Sequence, residues 1–351
     1  MAVVVLEPPQ RRPGDWIGFT YRGLRQLPLL PSAILVLLLV TAIFANFIAP
    51  HSPTRGELQD SLTPPVWMGQ SVEETRIVVE GRALDFITQI SLTEAQQEIE
   101  DGKARVAGGG ELVPGAELEF LRPGGTWTYI LGTDLQGRDV LSRVIHGTRP
   151  SLIVSVVAIL VAGSIGTTIG LIAGFRGGLA DAVLMRLTDI VLSMPLILIA
   201  VVVAAITQPS LQNIIIIIGL LLWPRFARQV RGEALALKQQ DFVARAVVAG
   251  SSGLRISVKH ILPNIVPSLL VISTLQVGYV ILLEGSLSFL GVGVPPPQPA
   301  WGLMIADGRG LLATAWWTAL FPGIAMALTV LSVNLFGDWL RDKLDPRLRQ
   351  I

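Results

Sequence analysis

Residues Arg225 to Pro267, RFARQVRGEALALKQQDFVARAVVAGSSGLRISVKHILPNIVP, form the most basic internal segment of an otherwise apolar chain. The segment holds seven Lys or Arg residues against two acidic residues. Long apolar runs flank it, so it is predicted to join two membrane spans. Because Lys and Arg in short loops resist translocation, the segment is predicted to face the cytoplasm.

Within this segment the pattern predicts two short helices separated by Gly250-Ser251-Ser252-Gly253. Gly costs about 1 kcal/mol in a helix interior, so two glycines in four residues favour a bend. The first helix is expected over Asp241 to Ala249, with Asp241 as its N-cap. The second is expected to end by Pro263, because proline cannot continue an interior turn. Such a loop would present a compact knob to a cytoplasmic partner.

Composition places the chain among multi-span membrane proteins. Only 15% of its 351 residues are charged, against about 25% in soluble domains, and 51% are hydrophobic. The net charge of +1 leaves no basic face for nucleic acid. Cysteine is absent and the three histidines are scattered, so neither a metal site nor a cofactor is expected in this chain.

Apolar runs predict six spans and a division of the chain into six parts. The spans are expected at residues 32–49, 151–175, 190–206, 214–223, 265–283 and 321–336. The parts are a cytoplasmic tail (1–31), the first span (32–49), an extracytoplasmic loop with an inserted lobe (50–130), an interfacial amphipathic segment (131–150), a five-helix core (151–340) containing the loop at about 225–264, and a cytoplasmic tail (341–351).

Two smaller patterns lie inside the core. Gly166, Gly170 and Gly174 form a small-residue stripe that would let another helix approach closely. The residues Asp181, Arg186 and Asp189 are expected in a short inside turn before the third span, in which Pro195 predicts a kink.

The insertion at about residues 66–127 predicts a small α+β lobe outside the membrane. Strands are expected near 75–79 and 117–121, and a helix over 92–101 with Thr93 as a possible N-cap. Its many acidic residues lack any metal-ligand spacing, so a solvated surface is favoured over a metal site.

The stretch from Glu284 to Thr318 is a candidate for the outer mouth of a pathway, because irregular backbone at membrane depth must line a cavity or be buried in protein. The candidate mouth or gate residues are Glu284, Ser288, Phe289 and Trp301. At the edge of its span, Glu284 is favoured as a capping or packing residue over an ion-coupling residue. A structural salt-bridge network is favoured over substrate contact for Asp134, Arg138 and Asp139.

The sequence lacks the G-x-x-x-x-G-K-[ST] phosphate-binding loop. The predicted spans also lack ionisable residues at their centres, where an ion-coupled carrier usually needs them. A chain that transports a solute without either device would draw its energy from a partner, and the basic loop is the natural docking surface.

The segment Gly250 to Pro263, GSSGLRISVKHILP, resembles the cytoplasmic EAA loop of ABC-importer permeases. Blocks such as SLSFLGVG at Ser286 to Gly293 and GDWLRDKLDPR at Gly337 to Arg347 resemble the C-type subunit of the dipeptide/oligopeptide (also nickel) permease family. The resemblance implies a peptide-importing subunit of the bacterial inner membrane with both termini cytoplasmic. Implied partners are a second permease subunit in a heterodimer, two cytoplasmic ATPases that hold ATP and Mg²⁺, and an extracytoplasmic substrate-binding protein.

The same resemblance assigns an ATPase-coupling loop. Its residues are Asp241, Ala244, Arg245, Ala246, Gly250, Ser251, Arg255, Lys259, His260 and Pro263. The EAA triplet falls on Ala244-Arg245-Ala246, so the family's acidic residue is replaced by Ala244, and Asp241 or Glu233 could substitute. Alternatives left open are nickel or another small solute as cargo, a stand-alone secondary carrier, and a membrane-anchored sensor that acts through its lobe.

Overall fold

The computed structural model describes residues 28–81, 83, 85 and 87–344; residues 1–27 of the predicted tail at 1–31 and residues 345–351 of the predicted tail at 341–351 lie outside this part. The helices are α1 Leu29–Ile48, α2 Leu92–Glu100, α3 Val140–Arg176, α4 Gly178–Ser193, α5 Leu196–Ile206, α6 Leu211–Lys238, α7 Asp241–Val248, α8 Gly253–Ile256, α9 Leu262–Phe289, α10 Trp301–Gly308 and α11 Trp317–Leu344. The strands are β1 Ser71–Val79, β2 Gln89–Ser91, β3 Ala104–Val106 and β4 Glu117–Arg122.

Five helices of the described chain are long and apolar enough to cross a membrane, which agrees with the predicted multi-span fold. They are α1, α3, α6, the continuous run of α8 and α9, and α11. The pair α4 and α5 makes a sixth if it counts as one span, although it bends by 84° at Met194–Pro195. The predicted kink at Pro195 is therefore a full break between two helices.

The glycine stripe of α3 packs directly against α6, as the sequence predicted. A Cβ atom at Gly166 would lie 2.4 Å from the Trp223 carbonyl oxygen, and one at Gly170 would lie 2.6 Å from the Ala227 carbonyl oxygen. At Gly174 it would lie 2.8 Å from the Ala234 Cβ. Because backbone atoms are met at two of these positions, larger residues there would force the helices apart.

Two predicted boundaries in this region are wrong. The segment at 131–150 does not form a separate amphipathic helix, because α3 begins at Val140 and continues through Pro150 to Arg176. The helix starts at Val140 because the Asp139 carboxylate caps it by accepting from the Ser142 N–H at 3.0 Å. Within its first turns Arg143 is buried, with 1% exposure.

The segment from Asp181 to Asp189 is also not a turn but part of helix α4. The Asp181 carboxylate accepts from Arg231 (Nη2–Oδ2, 2.6 Å), and Asp189 accepts from Arg228 at 2.8 Å. Because both cations lie on α6, the acids stabilise a helix docked along α6 and not a solvated turn.

The inserted lobe is an α+β unit, as predicted, with strand order β2-β1-β4-β3. Strands β1 and β4 are antiparallel, with Ile77 paired to Glu117, and β2 runs parallel to β1. The helix begins at Leu92 as predicted, but the predicted cap at Thr93 is wrong: the N-cap is Ser91, two residues earlier, which accepts from the Glu94 N–H in a capping box. Arg122 fastens the lobe to the transmembrane part by donating to the Thr314 carbonyl at 2.8 Å.

The bundle has two ends that the following sections distinguish. The lobe end carries β1–β4 and the start of α3 and α11, where Trp67 packs edge-on to Phe321 with ring centroids 5.9 Å apart. The loop end carries α7 and α8, where α8 packs against the last turns of α3.

Candidate functional site

The segment between α7 and α8 is built around one glycine with a positive φ. Helix α7 ends in a Schellman arrangement, in which the Gly250 N–H donates to Val247 O at 2.9 Å and the Ser251 N–H donates to Ala246 O at 3.1 Å. Gly250 has φ +74°, a conformation that residues with a Cβ avoid. The predicted bend therefore exists, and its sharpness depends on this glycine.

The first loop helix differs from the prediction at its start. Asp241 is the first helical residue and not the N-cap; Gln240 occupies the cap without a side-chain hydrogen bond. Asp241 still lies in the first turn, where its charge is favourable toward the helix dipole.

The second loop helix does not end at Pro263. A π-helical turn over Ser257–Ile261 follows α8, and the Leu262 N–H donates five residues back to Ser257 O. Pro263 is the second residue of α9 and directly follows the π-helical turn, and Pro267 also lies within α9. The chain from Gly253 to Phe289 is consequently one continuous helix of 37 residues.

The loop divides into a buried face and an exposed face. Val243, Ala246 and Ile256 are buried in an apolar cluster with Leu171 and Val230. This burial fixes the loop on the ends of α3 and α6.

The exposed face carries apolar residues at the tip, which a free surface would not favour. Val248 is 89% exposed and Leu254 is 78% exposed, and Val247 and Val258 are each at least half exposed. A cluster of exposed apolar side chains on a rigid bend is typical of a protein interaction site.

Basic side chains lie on the same loop. Arg245, Arg255 and Lys259 are exposed, and none of them forms an ion pair with another described residue. Ala244 is exposed beside them. The exposed part of the loop therefore combines apolar and basic side chains, which suits an apolar groove with acidic edges.

The loop is fixed to α3 by close contacts. A Cβ atom at Gly253 would lie 2.7 Å from Cε1 of Phe175, and Lys238 donates to the Phe175 carbonyl at 2.6 Å. Movement of the loop would therefore be felt at the end of α3.

Of the remaining predicted loop residues, His260 is half-buried on the π-helical turn and its carbonyl accepts from the Asn264 side chain at 2.7 Å. Glu233, one of the two suggested substitutes for the missing acid, accepts from Gln229 at 2.7 Å on α6. Asp241 is exposed one turn before Ala244 and thus lies nearer the basic tip in sequence.

The predicted mouth residues are packed together at the lobe end and do not line an open mouth. Glu284 is fully buried, and its carboxylate accepts from Ser288 Oγ at 2.7 Å and from Ser151 Oγ at 3.1 Å. Trp301 is 1% exposed and donates from its indole to the Val144 carbonyl at 3.0 Å. Phe289 is half-buried, with the guanidinium of Arg309 5.5 Å from its ring centroid. Sequence patterns did not reveal this burial, because Glu284 lies near the end of its apolar run.

The charged residues near Asp134 form the expected salt-bridge network at the lobe end. Arg138 Nε lies 2.7 Å from Asp134 Oδ2, and Arg143 Nε lies 3.4 Å from the same oxygen. Asp139 bonds Ser142 and lies 3.4 Å from His51 Nδ1. Burial raises the pKa of the neighbouring Asp307 above its usual range.

A cavity beside this network is too small for a solute pathway. Asp134, Arg143, Asp307 and Thr318 help to line it, and its volume is about 100 Å³. Ligand pockets usually measure at least about 300 Å³. The network is therefore assigned a structural role.

Several long apolar helices, a buried polar group near the lobe end and an exposed knob at the loop end define a multi-pass membrane protein. The family model described as "binding-protein-dependent transport system inner membrane component" matches residues 166–350, more than half of the chain. The chain belongs to this family.

Curated relatives agree with this assignment over most of the chain. The glutathione transport system permease protein GsiD of Pectobacterium atrosepticum is 42% identical over 66% of this chain and 77% of its own length. The di/tripeptide transport system permease protein DppC of Pseudomonas aeruginosa is 34% identical over 90% of this chain and 86% of its own length. A chain of the MetNI methionine ABC transporter is 19% identical over 58% of this chain and 96% of its own length, but its TM-score of 0.48 is too low to indicate a conformation.

Proposed function

We propose that this protein is one permease subunit of an ATP-driven importer that carries peptides into the cytoplasm. The similarity to relatives named for di- and tripeptide transport supports peptides as the cargo class. Nickel or another small solute is the alternative cargo in the permease family that the sequence resembles.

The single observation that supports an ATPase partner as the source of energy is the exposed knob at the loop end. It exposes the apolar side chains of Val248 and Leu254 together with the basic side chains of Arg245, Arg255 and Lys259. A partner ATPase with an apolar groove and acidic edges would bury the apolar side chains and pair with the basic ones. ATP and Mg²⁺ would then reside in that partner, consistent with the missing phosphate-binding motif.

The remaining partners follow from the same proposal. A second permease subunit would cover part of the exposed apolar flanks of the spans, and an external binding protein would deliver cargo at the lobe end. Because the loop is basic, the loop end is assigned to the cytoplasm together with both termini. The lobe over residues 66–127 would help to seat the binding protein; unchanged uptake affinity after its deletion would contradict this role.

A stand-alone ion-coupled carrier is the second candidate, because Glu284 is a fully buried ionisable residue within a spanning helix. That carrier would need no ATPase. The family assignment and the exposed knob favour the importer.

A mild-detergent pull-down of the tagged chain from its native membranes tests the proposal. Co-purification of a second permease, ATPases with phosphate-binding loops and a binding protein is expected. Isolation of the chain alone as a stable homo-oligomer would contradict the importer and favour the carrier.

A substitution at the loop bend tests the coupling step. Gly250→Val should leave insertion intact, because no atom lies within 4 Å of the new Cβ, while the positive φ is strained. We expect ATP hydrolysis that no longer drives uptake. Normal uptake by this variant would contradict a coupling role for the bend.

A further inference from the structure

Glu284 is a buried carboxylate that joins two helices through serine hydroxyls. It lies on α9, accepts from Ser288 on the same helix, and accepts from Ser151 on α3. Its exposure is 0%, and it forms no ion pair with any described residue. The Ser151–Glu284 hydrogen bond is therefore a polar link across an otherwise apolar helix contact.

The packing around this link leaves little freedom for independent movement. A Cβ atom at Gly302 of α10 would lie 2.2 Å from the Gly285 carbonyl oxygen, and one at Gly285 would lie 2.5 Å from Cε of Met326 on α11. Trp301 of α10 also packs on α3, where a Cβ atom at Gly147 would lie 2.8 Å from its ring. Four helices, α3, α9, α10 and α11, thus meet within one turn of Glu284.

The other end of the same helix carries the proposed docking knob. From Leu254 to Glu284 the helix rises about 45 Å at about 1.5 Å per residue. It is continuous through the π-helical turn at Ser257–Ile261. A displacement applied at the knob would therefore reach Glu284 along a single continuous helix.

A buried carboxylate is costly in an apolar surrounding, even when two hydroxyls donate to it. A leucine would fill this position in a spanning helix without that cost. The position of Glu284, at the far end of the helix from the knob and bonded to α3, accounts for a carboxylate here: it ties the end of α9 to the start of α3.

We propose that Glu284 is a positioning residue, which transmits movement of the α8–α9 helix to α3 and α10 at the lobe end through its hydrogen bond to Ser151. This inference rests on the proposed importer, and it adds the residue through which the two faces of the protein communicate. Glu284 does not need to touch cargo for this role.

The experiment uses the complete transporter, reconstituted with its second permease, ATPases and binding protein. The readout is the ratio of the ATPase rate with the binding protein to the rate without it, because this ratio reports communication between the faces without knowledge of the cargo. The variants are Glu284→Leu, Glu284→Gln and Ser151→Ala. The matched control is Ser155→Ala, which removes a buried hydroxyl of α3 that bonds only its own helix, at Ser151 O.

We expect Glu284→Leu to assemble, to keep its basal ATPase rate and to lose the stimulation by about tenfold, since the variant removes the hydrogen bonds to both serines. Glu284→Gln should restore the ratio, because an amide can accept from one serine and donate to the other. Ser151→Ala should lower the ratio by several fold, and Ser155→Ala should leave it unchanged.

Three results would overturn the inference. They are a wild-type ratio in Glu284→Leu, a Gln variant no better than the Leu variant, and equal ratios in Ser151→Ala and Ser155→Ala. If Glu284→Leu fails to assemble, the serine pair decides. A wild-type protein with no stimulation at all would instead contradict the importer itself, whereas stimulation that survives every variant contradicts only the role of Glu284.

Discussion

The sharpest test of the docking surface is Leu254→Asp. Leu254 is 78% exposed at the tip of α8, so the unbound protein would lose little by the change. If a partner ATPase buries this side chain, the wild-type complex gains about 1.5–3 kcal/mol from it. Aspartate cannot be buried without a partner, so the ATPase should bind at least about 10- to 150-fold more weakly.

The assay is the affinity of the purified ATPase for the chain in lipid nanodiscs together with its second permease. The matched control is Leu58→Asp, because Leu58 is a leucine with the same 78% exposure in a short helical turn at the lobe end. We expect the control to bind the ATPase with wild-type affinity. Equal affinities for the two variants would refute the docking surface, since the loss would then not depend on the end of the molecule that carries the charge.

Three further predictions concern stability. Gly170→Ala should lower the thermal unfolding temperature in detergent, with a cost of about 1–3 kcal/mol in the free energy of unfolding, because its Cβ would lie 2.6 Å from a carbonyl oxygen of α6. The control Gly163→Ala should leave the unfolding temperature unchanged, because its Cβ would lie 3.7 Å from a phenylalanine ring. Ser91→Ala should weaken hydrogen-exchange protection of α2 by about 1 kcal/mol, and equal weakening by Thr93→Ala would contradict the assigned cap. Asp181→Asn should lower the unfolding temperature, because it costs about 1 kcal/mol or less in the free energy of unfolding. The difference in unfolding temperature from the wild type should shrink in high salt.

The sequence predicted those features that depend on local composition. Apolar runs located the spans, and the glycine stripe of α3 predicted a close helix contact, because small residues at every fourth position lie on one helix face; the structure shows that the partner is α6. The two glycines after α7 likewise predicted the bend, since a positive φ at Gly250 is a local requirement.

Features that depend on tertiary partners were missed. Asp181 and Asp189 resembled solvated turn residues, because the arginines that pair with them lie on another helix about 40 or more residues later. Pro263 resembled a helix end, because the sequence does not show that a π-helical turn precedes it and that the helix continues through it. Both errors shortened helices that the structure extends.

The candidate site was predicted in part for the same reason. The basic residues of the loop are visible in sequence, but the exposure of Val248 and Leu254 depends on which face of the loop packs on α3. Glu284 lay at the edge of an apolar run, and only the approach of Ser151 from α3 shows that it is buried and bonded.

A double variant tests whether the loop and Glu284 belong to one route of communication. Substitutions at opposite ends of a long helix normally have additive effects, because they share no partner. If the α8–α9 helix carries the signal, however, Gly250→Val and Glu284→Leu interrupt the same route, and the double variant should lose no more binding-protein stimulation than the more severe single variant. Because the glycine stripe holds α3 and α6 at backbone contact, these two helices should move as one body, and the Glu284–Ser151 hydrogen bond should pass movement of α9 to that body at the lobe end. Losses that add in the double variant would mean that two independent routes join the faces, and the continuous helix would then not be the element that connects them.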